Sequence, residues 1–359
     1  MFSVRLRHAR KAAGLSLRDL GALVGISHAA IKKYEDGISM PSSDVLMRLS
    51  DALKVRVEYF FRAQPVVLDG IEYRKRSSLS KKKLDAITHQ VIDQIERRIE
   101  LESLFPRSPM RQFSPVKGLP QVVNTVDDAE DAAEAVRKAW QLGFDPIPDL
   151  IDVLETHGIR VFMVDEDADK QFDGLAAKAQ GLPIVVVSRN WPGDRQRFTL
   201  AHELGHLMLE QRIAENLLEE KVCNRFAAAF LLPRSSAFRE IGEHRNALEV
   251  RELGLLKEEF GLSMMCIMHR AHELGIISSA CRSELGQLFR VNGWHIHEPG
   301  PPLRSERAHV FEQLLFHALA EDYIGESKAA ELMGTTLVQF KRLRSMQNVE
   351  ELPGAVVGQ

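Results

Sequence analysis

Cysteine is scarce, with only Cys223, Cys266 and Cys281 in a chain of 359 residues. Few, odd in number and widely spaced, they exclude a disulfide framework and a cysteine-based zinc ribbon, and they are expected to be reduced, buried thiols. Apolar runs long enough to span a bilayer, about 18 residues or more, are missing as well. The opening residues, MFSVRLRHARKAAG, are charged where a signal peptide carries its apolar segment. A cytoplasmic protein with no membrane partner is the expectation.

What is present is ordinary globular material, with 45% hydrophobic and 27% charged residues. That is enough for two or three domains with their own cores, and it excludes a peptide hormone, a disordered tail or a fibre. The net charge of −3 hides an asymmetry. Residues 1–83 hold 17 Lys and Arg against 8 Asp and Glu, a balance of +9, which leaves 30 against 42, or −12, for the rest. A basic N-terminal unit on an acidic body points to a polyanion partner for the basic unit alone.

Residues 15–37, LSLRDLGALVGISHAAIKKYEDG, read as two short helices around a tight turn. Ser16 caps the first, whose Leu17, Leu20 and Val24 recur at helical spacing; Gly25 supplies the turn; Ser27 caps the second, which runs through Tyr34. This is a helix-turn-helix pattern. Pro41, Ser42 and Ser43 then break the chain before another amphipathic helix with Val45, Leu46, Leu49 and Leu53. The run VGISHAAIKKYEDGISMP resembles the XRE/Cro-type helix-turn-helix family, and the resemblance covers residues 2–61. It implies that the second helix enters the major groove of double-stranded DNA N-terminus first. His28, Ala29 and Lys32 are then the base-reading candidates, Arg18, Lys33 and Ser39 fall nearer phosphates, and the capping Ser27 belongs to the same DNA-binding set.

Two clusters of Arg and Lys follow in VVLDGIEYRKRSSLSKKK, residues 66–83, which reads as a solvated connector. A long helix comes next, with Leu84, Ile87, Val91, Ile95 and Ile99 on one stripe. That stripe must be buried, either against the body of the protein or against a twin in a homodimer, the arrangement expected of a reader of paired half-sites. PRSPMRQFSPVKGLP is a loop that closes the segment.

Beyond residue 127, DDAEDAAEAVRKAWQLG reads as a helix stopped by Gly143, and DPIPDLIDVLETHG as a second helix entered through prolines. Three strand-like runs, 159–164, 174–179 and 183–188, make this an α+β unit. The next helix carries TLAHELGHLMLE. His202 and His206 lie one turn apart on one face and can converge on one ion. Glu203 is rotated from His202 by about 100° and so reaches a water beside the ion rather than the ion itself. Zinc (Zn2+) suits such a set, because an ion held by three protein ligands keeps an open position and lowers the pKa of water there towards about 7. Glu203 is the candidate general base. The third ligand is sought in LLEEKVCNRFAAAFLLPRS: Glu220 is the candidate, Glu219 competes with it, and Asn224, one turn on, is placed to accept a hydrogen bond from a liganding imidazole.

RFTLAHELGHLML together with EEKVCNRFAAAFLLP resembles the two motifs of the ImmA/IrrE-type zinc metallopeptidases. The second motif of that family usually reads Glu-x-x-Ala-Asn-x-Phe-Ala, so Glu220 stands for the third ligand, Asn224 for the asparagine and Phe226-Ala227 for the packing pair, with Cys223 in place of alanine. The resemblance covers roughly residues 145–278. It implies a zincin-like fold and an endopeptidase that cleaves a partner protein, often a helix-turn-helix repressor, in stress responses, mobile-element induction or toxin–antitoxin-like arrangements. His269 and His272 on the following helix read as structural histidines, and WHIH, residues 294–297, as a loop.

The C-terminal run IGESKAAELMGTTLVQF resembles a helix-turn-helix in outline, with Ser327 as cap and Gly334 as turn. The expected chain is therefore mainly α with a small sheet. It comprises an all-α helix-turn-helix domain at 1–65, a charged linker and long helix at 66–126, an α+β metallopeptidase domain at 127–290 and a helical region at 291–359. Its expected role is a DNA-binding regulator with a peptidase that cuts a partner. The rival is a transcription factor or antitoxin whose peptidase-like domain senses a ligand or partner without proteolysis.

Overall fold

A computed structural model of the chain describes residues 2–61, 68–69, 81–165 and 172–346. The first of these segments folds into helices α1 (Phe2–Ala12), α2 (Leu17–Val24), α3 (His28–Glu35) and α4 (Ser43–Leu53), closed by a 3-10 turn at Val57–Phe61. Each boundary has a local cause. Ser16 and Asp19 form a reciprocal capping box at the start of α2, Gly25 ends that helix at φ 72°, and the Ser27 and Ser42 side chains accept from the backbone N–H groups of Ala30 and Val45. Gly21 is required for packing, because a Cβ there would stand 2.8 Å from the Ile26 carbonyl oxygen. The core is small and apolar: Leu6, Leu20, Val24, Ile31, Leu49 and Phe60 are all buried.

The linker contributes a short strand β1 (Leu68–Asp69), and the basic stretch at 70–80 lies outside the described residues. The long helix α5 (Lys81–Ser103) buries its stripe against the body, with Ile87, Val91 and Ile95 packed on Phe162, Val164 and Val186 of the sheet. Its C-terminal end enters another core, through Leu101.

The central unit begins with α6 (Asp128–Ala139) and α7 (Leu150–Thr156). Helix α6 ends earlier than Gly143 because the buried Arg137 guanidinium gathers the carbonyls of Gly143, Asp145 and Phe230, which pulls the chain around it. Helix α7 is capped by Asp149, whose side chain accepts from Asp152 N–H, and Glu306 accepts from the Leu150 and Ile151 amides. Strands β2 (Arg160–Val164), β3 (Gly174–Ala179) and β4 (Leu182–Ser188) follow, and with β1 they form a four-stranded sheet in the order β1-β3-β4-β2. Strands β2 and β4 run parallel; β3 is antiparallel to β4, and the described residues of β1 pair with Lys178 and Ala179 of β3.

Helices α8 (Gly193–Leu209) and α9 (Glu219–Leu231) pack together beneath the sheet, followed by α10 (Arg234–Ile241), α11 (Val250–Phe260), α12 (Met264–Glu273) and α13 (Ser279–Val291). One continuous core joins α6–α13 to the inner face of β2 and β4, through Leu204, Phe226, Phe230 and Val185 among others. The WHIH stretch is a turn. Three last helices, α14 (Val310–Ala320), α15 (Glu326–Met333) and α16 (Leu337–Arg344), have a core of their own around Leu315, Ala329 and Phe340. Gly325 rather than Ser327 is the N-cap of α15. The three cysteines are free thiols, Cys223 and Cys281 buried and Cys266 partly so. Among the described residues no helix is long and apolar enough to cross a membrane.

Candidate functional site

Helix α8 enters through Pro192 and Gly193 and buries three of its four sides, with Leu200, Ala201, Leu204 and Leu209 in the core. The remaining side carries His202 and His206, whose Nε2 atoms are 3.0 Å apart. Gly205 lets α9 cross closely: a Cβ there would stand 3.1 Å from Phe226 Cδ1 and 3.4 Å from Cys223 Cα. This crossing brings the first turn of α9 onto the histidines. The Glu220 oxygens lie 3.9 Å from His202 Nε2 and 3.8 Å from His206 Nε2. Four donors at about 2.0–2.1 Å from a tetrahedral ion sit roughly 3.4 Å apart. The nitrogen and carboxylate donors of His202, His206 and Glu220, all within 4.8 Å of one another, therefore fit a zinc ion.

Glu219 is on the other side of the imidazole. Its Oε1 is 2.8 Å from His206 Nδ1. An ionised carboxylate only accepts, so Nδ1 carries the proton and donates it, which leaves the Nε2 lone pair for a metal. Glu219 thus takes the position that the spacing suggested for Asn224. Asn224 instead lines a cleft of about 260 Å³ with Asp173, Arg195, Thr199, His202 and Glu220.

Glu203 is buried, as is His202. Gly174, the first residue of β3, runs over it: a Cβ at Gly174 would be 2.6 Å from Thr199 Cγ2 and 3.5 Å from Glu203 Cγ. The general-base candidate therefore sits on α8 beside the start of β3. Asp173 and Arg195 were not singled out from the sequence. Arg195 Nε donates to Asp173 Oδ1 at 2.8 Å, and its guanidinium stacks 3.3 Å above the centre of the Trp191 ring. Arg195 and Thr199 share the His202 face at helical spacing, a signal readable from the sequence; Asp173 carries none. His269 and His272 lie outside this cleft, and His272 Nε2 is 3.0 Å from Ser279 Oγ. Burial, with Arg282 nearby, pushes His269 down.

In the N-terminal domain, Arg18, Ser27, His28, Ala29, Lys32, Lys33 and Ser39 are all exposed. Ile31 and Leu20 face inward, so α3 presents its basic side outward. Lys32 Nζ is 2.9 Å from Asp36 Oδ1, one turn away.

Comparison with known proteins follows the same division. Residues 6–60 match the family model for a helix-turn-helix, and residues 154–272 match that for an IrrE N-terminal-like domain, a peptidase family. The chain joins a helix-turn-helix domain to an IrrE-like domain. Two relatives are HTH-type transcriptional regulators of Sinorhizobium fredii. One, y4aM, is 34% identical over 61 residues, 17% of this chain and 43% of the relative; the other, y4wC, is 35% identical over 74 residues, 21% and 50%. The chain spans half or less of the length of the curated relatives it matches. The IrrE-like match contains β2–β4 and α8–α11, and with them every residue of the His202–His206–Glu220 group.

Proposed function

We propose that this chain is a DNA-binding transcriptional regulator whose IrrE-like domain is a zinc-dependent endopeptidase acting on a partner protein, with a repressor as the class of substrate. His202, His206 and Glu220 would hold the ion, with Glu219 orienting His206. The observation that carries the reading is the convergence of three donors on a helix that also holds a buried glutamate. When bound, zinc supplies a Lewis acid that acidifies water and polarises a peptide carbonyl.

The chain's own residues do the rest. A substrate segment lies extended along an edge strand of the small sheet, its backbone hydrogen-bonded as in β-augmentation. Glu203 takes a proton from the attacking water and returns it to the amine that leaves when the C–N bond breaks. Asn224 and the Arg195–Asp173 pair, which line the cleft, contact the substrate side chains near the scissile bond. The helix-turn-helix domain lays α3 in the major groove, with His28, Ala29 and Lys32 on base edges and Arg18, Ser27 and Lys33 on phosphates.

The test compares cells expressing the wild type with cells expressing Glu203→Gln, by sequencing newly formed protein N-termini. Termini present only with the wild type identify the substrate. No difference, from a Glu203→Gln protein that retains its zinc, would sink the peptidase and favour a domain that senses a partner without cutting it.

A further inference from the structure

The turn that builds the N-terminal reading unit recurs at α11–α12 and at α15–α16, and α15–α16 leaves its second helix open. In α2–α3, an eight-residue helix ends at Gly25 (φ 72°, ψ 35°), Ser27 caps the next helix by accepting from Ala30 N–H, and another eight residues follow. In α15–α16, an eight-residue helix ends at Gly334 (φ 72°, ψ 23°), Thr336 caps the next by accepting from Gln339 N–H, and eight residues follow. The two units correspond residue for residue. Leu20 and Ala329, Gly21 and Ala330, and Ile31 and Phe340 occupy the same positions and are buried. The exposed Lys32 and Lys33 of α3 have the exposed Lys341 and Arg342 as their counterparts.

The third copy serves as an internal control. Helix α11 ends at Gly261 (φ 68°) and Ser263 caps α12, so the turn is the same. Its second helix is nonetheless consumed by packing: Met264, Ile267, Met268 and Ala271 lie in the central core, and the amides of Met264 and Met265 donate to the Glu298 carboxylate. The turn alone therefore does not make a docking helix. Helix α16 differs in having one buried residue, Phe340, an outward face with Val338 at 63% exposure, and Lys341 and Arg342 beside it. Lys341 and Arg344 reach Glu326, at 3.5 Å and 2.5 Å, but pairs this exposed are weak and give way to a phosphate. Arg342 has no carboxylate partner among the described residues.

We propose that α15–α16 is a second helix-turn-helix that seats α16 on double-stranded DNA, with Lys341 and Arg342 on phosphates and Val338 against a base edge. The two units abut: Arg56, at the end of the N-terminal domain, donates to the carbonyls of Ser327 and Thr335 at 3.2 Å and 3.0 Å. One protomer thus offers DNA two neighbouring basic helices. The inference does not depend on peptidase activity.

The experiment is fluorescence anisotropy of the full chain with a labelled random-sequence duplex several helical turns long, titrated at salt from about 50 to 200 mM. Each phosphate contact contributes about 0.9 to the slope of log affinity against log salt, so Lys341→Gln/Arg342→Gln should flatten the slope by up to about 1.8. The charge-conserving Lys341→Arg/Arg342→Lys should restore it. Matching circular-dichroism melts keep a folding defect from imitating the effect. An unchanged slope, while Lys32→Gln/Lys33→Gln weakens binding, would overturn the proposal and leave α3 as the DNA helix; so would a shift in sedimentation with no change in slope, which would make α16 a contact between copies.

Discussion

Two donor sets share His206, and one titration series separates them. The first is His202, His206 and Glu220; the second is His206, Glu219 and Cys223, whose donor atoms are equally close. They are mutually exclusive in use, since the ring's two nitrogens point apart and Glu219 sits 2.8 Å from Nδ1 while Glu220 faces Nε2. If the ion sits on Nε2, Glu219→Gln removes only the orienting acceptor. Losing such a partner costs about 10–100-fold in metal affinity, or roughly 1.4–2.7 kcal/mol. Glu220→Gln removes a ligand and His202→Ala another, and each should cost more than Glu219→Gln. Cys223→Ala should leave affinity unchanged, because Cys223 belongs to the donor set with Glu219 and gives an ion on Nε2 no ligand. The assay is competitive zinc titration against a chromophoric chelator, with zinc content by mass spectrometry. A protein in which Glu219→Gln and Cys223→Ala abolish binding while His202→Ala does not would refute the reasoning and move the ion to the Nδ1 side.

Three other outcomes follow from packing and burial. Gly205→Ala gains roughly 1 kcal/mol of helix propensity but presses on Phe226 and the Cys223 backbone, where overpacking costs about 1–3 kcal/mol, so we expect a lower melting temperature and weaker zinc; a rise would show that α9 is free to move away. Burial pushes the Glu155 carboxyl up to about 7 against the pull of Arg98. An acid that keeps its proton when folded adds stability below its unfolded value near 4.5 and loses it as pH rises through about 7, so Glu155→Gln should flatten this part of the melting-temperature profile by up to about 3 kcal/mol; an identical profile in wild type and variant would be evidence against it. Glu96→Ala removes the buried carboxylate that pairs with Arg5 of α1, a loss of about 3–5 kcal/mol by chemical denaturation; a loss below about 1 would mean that the α1–α5 contact opens freely.

What could be read from the sequence was whatever depends on neighbours within a turn or two of helix. Ser16, Gly25 and Ser27 fix α2 and α3 locally, and the four-residue spacing of His202 and His206 puts them on one face whatever surrounds the helix. Strand positions 174–179 followed from β-like composition and were found without shift. What could not be read depends on residues far apart along the chain. Glu219 and Glu220 are adjacent at a helix start, and only the crossing of α8 over α9 decides which oxygen meets which ring nitrogen. The early end of α6 is set by Arg137 reaching Phe230, and the cap of α7 by Glu306. No periodicity encodes either partnership.

The same distinction explains why α5 read as an amphipathic helix with an undecided partner. Its stripe resembled a dimer seam because one apolar face was all the sequence could display. In the fold that face is divided three ways. Arg5 of α1 pairs with Glu96 in the interface with the helix-turn-helix domain, Ile87, Val91 and Ile95 cover the sheet of the IrrE-like domain, and Leu101 enters the core of α14–α16. One helix thus touches the helix-turn-helix domain, the sheet beside the cleft and the α14–α16 unit. A change of register in α5 would be felt by all three, and that contact pattern gives the helix-turn-helix domain and the IrrE-like domain a physical route by which the state of one can bear on the other.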